Sequence, residues 1–318
     1  MKLAVIPDDF PEVLGSSPSM VRLCDRFEVT HHTTLPGGDA SLVERLRGAE
    51  VAINIRSSTK FTADVFAHLP DLRLVSIWGT GTDNVDLAAA RERGVRITNT
   101  PAVSAPSIAE HALALMLAVA RRIPEIDREV RAGKWPRGQM MQLAGKTLGV
   151  IGLGAIGQRF AQLGKGIGMR VITWTMHPKE PQLELGQLLA ESDVVSLHLR
   201  LSDQTRAFLN AERIAQMKPG AILINTARGP ITEEAALLSA LRTNHLGGAG
   251  IDVFDQEPLP RDHAFTALPN VVLSPHNAGV TPEALEAGLA LAVDNAVAFD
   301  EGRSQNVVTI AKPVPETR

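Results

Sequence analysis

Short runs rich in Val, Ile and Leu alternate with helix-like stretches along nearly the whole chain, and this alternation restricts the fold more than any other feature. The runs are "KLAVI", "FEVTH", "EVAIN" and "LRLVSIW", then, beyond a long helical pattern at residues 107–122, "TLGVIGLG", "MRVITW", "DVVSLHL", "AILINTA", "GAGIDVF" and "VVLSP". Runs this short and this apolar suit strands covered on both faces. Helices between them bring the chain back to start the next strand in the same direction. The expected class is α/β, with two doubly wound parallel-sheet domains.

A chain of 318 residues is long enough for two such domains. The helical pattern at 107–122 separates four strands from a fresh strand set, and the stretch after it, "IDREVRAGKWPRGQMMQLAGK", reads as irregular. The helical pattern from Pro282 to Asp300 is expected to return to the first domain. One domain is thus drawn as 1–100 with 283–318 and the other as 101–282, with a cleft between them.

Charge and composition narrow the function. The net charge is -3, and Lys and Arg never run beyond a pair, so the chain lacks the basic footprint of a nucleic-acid binder. "HALALMLAVA" is too short an apolar run to span a membrane, and "MKLAVIPDDF" reaches charge too soon for a signal peptide. Cys24 is the single cysteine, which suits a reducing, cytoplasmic setting; a half-buried helix position is expected for it. His31 and His32 are neighbours on a strand and point to opposite faces, and neither they nor His111 form a metal-ligand pattern, so no metal site is expected.

"TLGVIGLGAIGQRF" places Gly152, Gly154 and Gly157 between a buried strand and a helix. Gly152 permits the tight turn, Gly154 lets backbone N–H groups approach a pyrophosphate, and Gly157 lets helix and strand pack closely, with the helix N-terminus facing the phosphates. A dinucleotide is the expected ligand. In such sites an Asp or Glu closes the next strand to hold the adenosine ribose. Here that strand, "MRVITWTMHPK", carries Thr175 instead.

Three other strand ends carry polar residues: Arg228 after "AILINTA", Glu257 in "GIDVFDQEP" and His276 in "VVLSPHNAG". Each alone is weak, but together they follow strands of one sheet, where ligands bind at the carboxyl ends.

The segments "GTGTDNVDLAAARERGVRITNTPAVSAPSIAEHALALMLAVAR", "GKTLGVIGLGAIGQRFA", "LINTARGPITEEAALLSAL", "GAGIDVFDQEP" and "LSPHNAGVT" together resemble the D-isomer-specific 2-hydroxyacid dehydrogenases, in order and over most of the chain. The resemblance implies a Rossmann cofactor domain, a flavodoxin-like substrate domain and interconversion of a 2-keto acid with a D-2-hydroxy acid. It implies that His276 gives and takes the proton, that Glu257 pairs with it, and that Arg228 clamps the substrate carboxylate and carbonyl. Asp252 resembles the residue that contacts the nicotinamide carboxamide. The cofactor set it implies further includes Thr80, Ala155, Ile156, Thr175, Thr226, Ala227 and Gly279. Backbone N–H groups around Trp78, Gly79 and Thr80 would cradle the substrate carboxylate, with Arg56 a candidate contact. Arg56 could equally be a solvent-facing charge, and Trp78 could shape a substrate pocket or fill core.

With Thr175 in place of an acid, either NAD or NADP is expected to serve, with a slight lean to NADP; His177 and Lys179 lie just beyond. The resemblance also implies a homodimer paired through the cofactor domain by residues 107–142. Two alternatives keep the fold: a nicotinamide-sensing regulatory protein, and a dehydrogenase of phosphite or formate. The intact Arg228, Glu257 and His276 count against a sensor, and Glu257 stands where formate-oxidising relatives carry Gln.

Overall fold

The computed structural model describes residues 1–178 and 180–309. In chain order the elements are β1 (Lys2–Ile6), α1 (Pro18–Cys24), β2 (Phe27–His31), α2 (Asp39–Arg45), β3 (Val51–Asn54), α3 (Ala63–Ala67), β4 (Leu74–Ile77), α4 (Leu87–Glu92) and β5 (Arg96–Thr98). Then come α5 (Ala105–Ala120), α6 (Ile123–Arg131), β6 (Thr147–Ile151), α7 (Ala155–Gly166), β7 (Arg170–Trp174), α8 (Leu185–Glu191), β8 (Val194–Leu197), α9 (Ala211–Gln216) and β9 (Ala221–Asn225). The last are α10 (Glu234–Arg242), β10 (Leu246–Ile251), β11 (Val271–Leu273), α11 (Pro282–Asp300) and β12 (Val307–Thr309). The chain divides into one unit of Met1–Ser104 with the chain from Thr281 onward, and a second of Ala105–Val280.

The first unit holds a sheet in the order β12-β5-β4-β3-β1-β2, parallel except for β12 against β5. Alternate strand residues enter opposite layers. Val5, Ala52 and Val75 face one core with Leu42 and Phe66, whereas Ala4, Ile6, Val51, Ile53 and Leu74 face the other with Leu289 and Val293 of α11. The α11 helix starts where Pro282 occupies the first turn and the Thr281 side chain caps the Ala284 N–H.

The second unit is a wholly parallel sheet in the order β11-β10-β9-β8-β6-β7. From β6 the chain moves outward to β7, then returns to β8 on the other side and proceeds through β9 and β10 to β11. The strand order reverses at the carboxyl end of β6, where sheets of this kind take their ligand.

Several details depart from the sequence reading. The long helix begins at Ala105, with Pro106 in its first turn, and ends at Ala120, before Arg122 adopts a left-handed φ of 51°. The stretch read as irregular opens with α6, where Pro124 again starts a helix and Arg122 pairs with Glu125 at 2.5 Å. Cys24 closes α1 on its exposed side and is not half-buried. The strands β5 and β12 went unread: each is only three residues long, and they pair across most of the chain length.

His198, directly after β8, marks the switch point. Gly152 there has φ of 98°, and a Cβ on it would lie 2.5 Å from the His198 carbonyl oxygen, so the turn requires glycine. The imidazole packs tilted against Phe160, with ring centroids 5.2 Å apart, and its Nε2 meets Ser196 Oγ at 2.9 Å. Burial pushes its pKa down to about 3. An unfolded His titrates near about 6.5, so the unfolded chain binds a proton below that pH while the folded one stays neutral. Stability is therefore unaffected by this group above pH ~6.5 and falls below it, at up to about 1.4 kcal/mol per pH unit. Urea denaturation at pH 7 and pH 5 should show the parent losing more stability on acidification than a His198→Gln variant. Equal losses would show that the acid sensitivity lies elsewhere.

Candidate active site

Three neighbouring strand ends of the second unit supply the candidate side chains. Ile251 of β10 stands in register with Asn225 of β9 and Leu273 of β11, so the loops that follow leave the sheet side by side. Asn225 is buried and shapes the first loop: its Oδ1 accepts the Ala227 N–H at 3.0 Å and its Nδ2 donates to the Arg228 carbonyl at 3.0 Å. The Arg228 guanidinium in turn donates to the Ala227 carbonyl at 2.8 Å. Gly229 then presses on the next loop, where an added Cβ would come within 2.1 Å of the Phe254 carbonyl carbon.

That second loop carries Glu257. Its Oε1 accepts the Phe254 N–H at 3.0 Å, which fixes the carboxylate, and its Oε2 lies 2.7 Å from His276 Nδ1. Burial alone would raise the Glu257 carboxyl, but the His276 hydrogen bond and charge, with Arg228 nearby, hold it below its ordinary value. The carboxylate stays ionised at neutral pH and assigns the proton to Nδ1, leaving Nε2 as the atom that can exchange one.

His276 itself sits in the left-handed region at φ 56°, a conformation that a non-glycine side chain adopts only when the surroundings impose it. Asp252, the residue after β10, imposes it. Its carbonyl accepts the His276 N–H at 2.7 Å, and its carboxylate accepts the Asn277 and Ala278 N–H groups at 2.8 and 3.0 Å. The resemblance assigns Asp252 to the nicotinamide carboxamide; in this structure it is 0% exposed and its two oxygens serve the His276 turn. Burial would raise its carboxyl, yet the His111 and Ser274 side chains and those two N–H groups bring it below the usual value.

The glycine loop fits a dinucleotide. Gly154 stands at the N-cap of α7 with no side-chain cap, so the N–H groups of the first turn, which includes Ala155 and Ile156, are offered to an anion. A Cβ on Gly154 would meet nothing within 4 Å, whereas one on Gly157 would strike the Gly152 carbonyl at 1.9 Å. The first position leaves room for phosphate and the second for packing. Thr226 Oγ1, in the turn after β9, is buried and has no hydrogen-bond partner among the described residues.

At the end of β7, Thr175 is held by a residue that sequence reasoning missed. Gln182 accepts the Thr175 N–H at 2.9 Å and donates to its carbonyl at 2.7 Å. Lys179 lies outside the described residues.

The remaining candidates belong to the first unit. Arg56 donates through Nε to the Phe10 carbonyl at 2.9 Å and through Nη2 to Pro11, and its own N–H is received by Asp8. The Trp78 N–H donates to the Asn54 carbonyl at 2.8 Å and the Gly79 N–H to Thr100 Oγ1 at 2.7 Å, so both are already engaged within the unit. The Thr80 carbonyl accepts from Asn99 at 2.8 Å. The Trp78 indole packs on α11, where a Cβ at Gly288 would lie 2.0 Å from its Nε1. His31 pairs with Asp9 at 2.8 Å. Among the described residues no group of His, Cys, Asp and Glu is placed to hold a metal ion, and no helix is long and apolar enough to cross a membrane.

A glycine turn opening a helix, with an arginine and a carboxylate-held histidine on neighbouring strand ends, is the equipment of a nicotinamide-dependent oxidoreductase. Residues 113–278 match the model of the D-isomer specific 2-hydroxyacid dehydrogenase NAD binding domain, and the chain belongs to that family. It is 40% identical to the glycerate dehydrogenase of Methylorubrum extorquens over 84% of this chain and 88% of that protein. To the glyoxylate reductase of Korarchaeum cryptofilum it is 38% identical over 87% of this chain and 90% of that one. Among solved structures, an acyclic imino acid reductase in complex with NADPH and D-Arg superposes with a TM-score of 0.89 at 28% identity, over 97% of this chain and 100% of that chain.

Proposed function

We propose that the protein reduces a small 2-keto acid, glyoxylate or hydroxypyruvate, to the D-2-hydroxy acid with NADH or NADPH, and catalyses the reverse oxidation. The observation that carries this reading is the 2.7 Å bond between His276 Nδ1 and Glu257, beside Arg228 on the adjoining loop. The cofactor would be held by the Gly152–Gly157 turn, the first turn of α7, Thr175, the Thr226–Ala227 turn and Gly279, and when bound it supplies the hydride to C2. Arg228 holds the substrate carboxylate and turns its carbonyl. A guanidinium offers two parallel donors for this, which an ammonium cannot. His276 delivers its Nε2 proton to the carbonyl oxygen as the alcohol forms, and in the reverse direction takes that proton back. Glu257 fixes the orientation of the ring through its Nδ1. Oxidation of NADH and NADPH followed by absorbance over a panel of 2-keto acids tests this. Turnover of glyoxylate or hydroxypyruvate supports it, and a panel without turnover overturns it.

Cofactor choice follows from Thr175. An Asp there would accept both ribose hydroxyls and repel a 2′-phosphate; Thr175 does neither strongly. A hydrogen bond to a charged group is worth about 1.5–3 kcal/mol, and about 1.4 kcal/mol is tenfold. Catalytic efficiencies with NADH and NADPH should therefore lie within about a hundredfold of each other, leaning to NADPH, and Thr175→Asp should move the balance to NADH. A parent preference beyond about a thousandfold would show that contacts elsewhere decide the cofactor.

A homodimer formed through the second unit is part of the same reading. Leu117, Ile123, Val130, Met140 and especially Trp135, 75% exposed, leave a concentration of apolar surface on α5, α6 and the arm beyond. Light scattering at micromolar concentration should give twice the chain mass, and a monomer mass would contradict it.

A further inference from the structure

The α5 helix lies along β10 in a matched register. A Cβ on Gly248 would come within 2.7 Å of Val119 Cγ1, and one on Gly250 within 2.9 Å of Leu115 Cβ. Each step of four residues along the helix advances about 6 Å, and each step of two along the strand about 6.6 Å. The next pair in this progression, one helical turn before Leu115 and two strand residues after Gly250, is His111 with Asp252. The structure shows that pair: His111 Nε2 lies 3.5 Å from Asp252 Oδ1. This is longer than an ordinary N–H···O bond. The nitrogen is buried and has no hydrogen-bond partner among the described residues. The small residues of "GAGID" thus bring a helix close enough to set an imidazole against a fully buried carboxylate.

We infer that His111 is a positioning residue for proton transfer: its imidazole bears on the Asp252 carboxylate, which by accepting the Asn277 and Ala278 N–H groups holds the left-handed turn that carries His276. The inference rests on the reading of His276 as the proton donor. With the Asn277 and Ala278 N–H groups received on its two oxygens and the His111 imidazole 3.5 Å away, the carboxylate is confined in rotation, and the two N–H groups fix the peptide planes on either side of Asn277. Removing the imidazole leaves room for the carboxylate to turn. The turn can then relax from φ 56° towards the ordinary regions, carrying the His276 ring out of line with the substrate oxygen.

Two amide replacements differing by one methylene isolate the contact. His111→Asn has an amide nitrogen too short to reach Asp252, whereas that of His111→Gln reaches the place of Nε2. The Asn variant should lose about ten- to hundredfold in kcat with substrate KM within threefold of the parent, and the Gln variant should recover most of that loss. Hydrogen exchange at the Asn277 and Ala278 amides should quicken in the Asn variant and return in the Gln variant. Combined with Asp252→Asn, the His111→Asn substitution should add little further loss of kcat, as two links of one chain require. Parent-like kcat and exchange in His111→Asn, equal losses in both amide variants, or losses that add to those of Asp252→Asn would each overturn the inference. The exchange measurement needs no turnover. A chain that reduced no 2-keto acid would sink the functional reading, and exchange would still decide whether His111 holds the turn.

Discussion

Replacing His276 with alanine is expected to lower kcat on the best 2-keto acid by about a hundredfold to ten-thousandfold, the range in which a positioned general acid contributes. The side chain is held by Glu257 at Nδ1, and that bond leaves Nε2 as the atom proposed to donate the proton. Alanine removes the proton donor and leaves Glu257 Oε2 without its His276 partner, while Oε1 keeps the Phe254 N–H. It leaves in place the Asp252 carboxylate that organises the turn and the glycine loop that would hold the pyrophosphate. Quenching of tryptophan fluorescence by NADPH should accordingly give a Kd within a few-fold of the parent. A variant within tenfold of parental kcat would show that the proton comes from another group.

The Gly229→Ala substitution should be nearly as damaging although it touches no reacting atom. Its Cβ would fall 2.1 Å from the Phe254 carbonyl carbon and 2.4 Å from its oxygen, and both are backbone atoms that cannot swing aside. The loop bearing Arg228 and the loop bearing Glu257 must separate, by on the order of 1 Å, and misplacement of that size costs about a hundredfold in rate. Overpacking should also lower stability by about 1–3 kcal/mol. Kinetics and thermal melts of the same preparation check both effects. If kcat/KM stayed within threefold of the parent, the spacing of the two loops would not be what orients substrate against His276.

The sequence carried the parts of this site that local pattern can encode. Arg228, Glu257 and His276 were legible because each follows a short apolar run, and parallel sheets expose polar residues at strand ends. The turns of Gly152 and Gly157 were legible because backbone sterics leave those positions to glycine. What stayed hidden depends on contacts distant in sequence. The resemblance gives Asp252 a nicotinamide contact, and only the fold shows that its carboxylate also receives the Asn277 and Ala278 N–H groups of the His276 loop. His111 reads as an ordinary helical histidine; the signal that could have found it was the match of "HALALMLAV" at four-residue spacing to "GAGID" at two-residue spacing. Gln182, which reaches back from the loop before α8 to Thr175, gave no signal, because a side-chain amide can bond any backbone within reach. The N–H groups of Trp78 and Gly79 looked available until Asn54 and Thr100, both remote in sequence, were seen to receive them. α6 was missed for a different reason: its apolar residues Ile123, Ile126 and Val130 are few, and the charged remainder masks their helical spacing.

The central claim is that this chain makes a D-configured hydroxy acid by hydride addition at C2 and proton delivery from His276. The most direct test is to incubate the protein with hydroxypyruvate and NADPH, then resolve the glycerate formed by chiral chromatography. D-glycerate in amounts equal to the NADPH consumed is expected, and it should disappear with His276→Ala. L-glycerate, or NADPH consumed without glycerate, would contradict it.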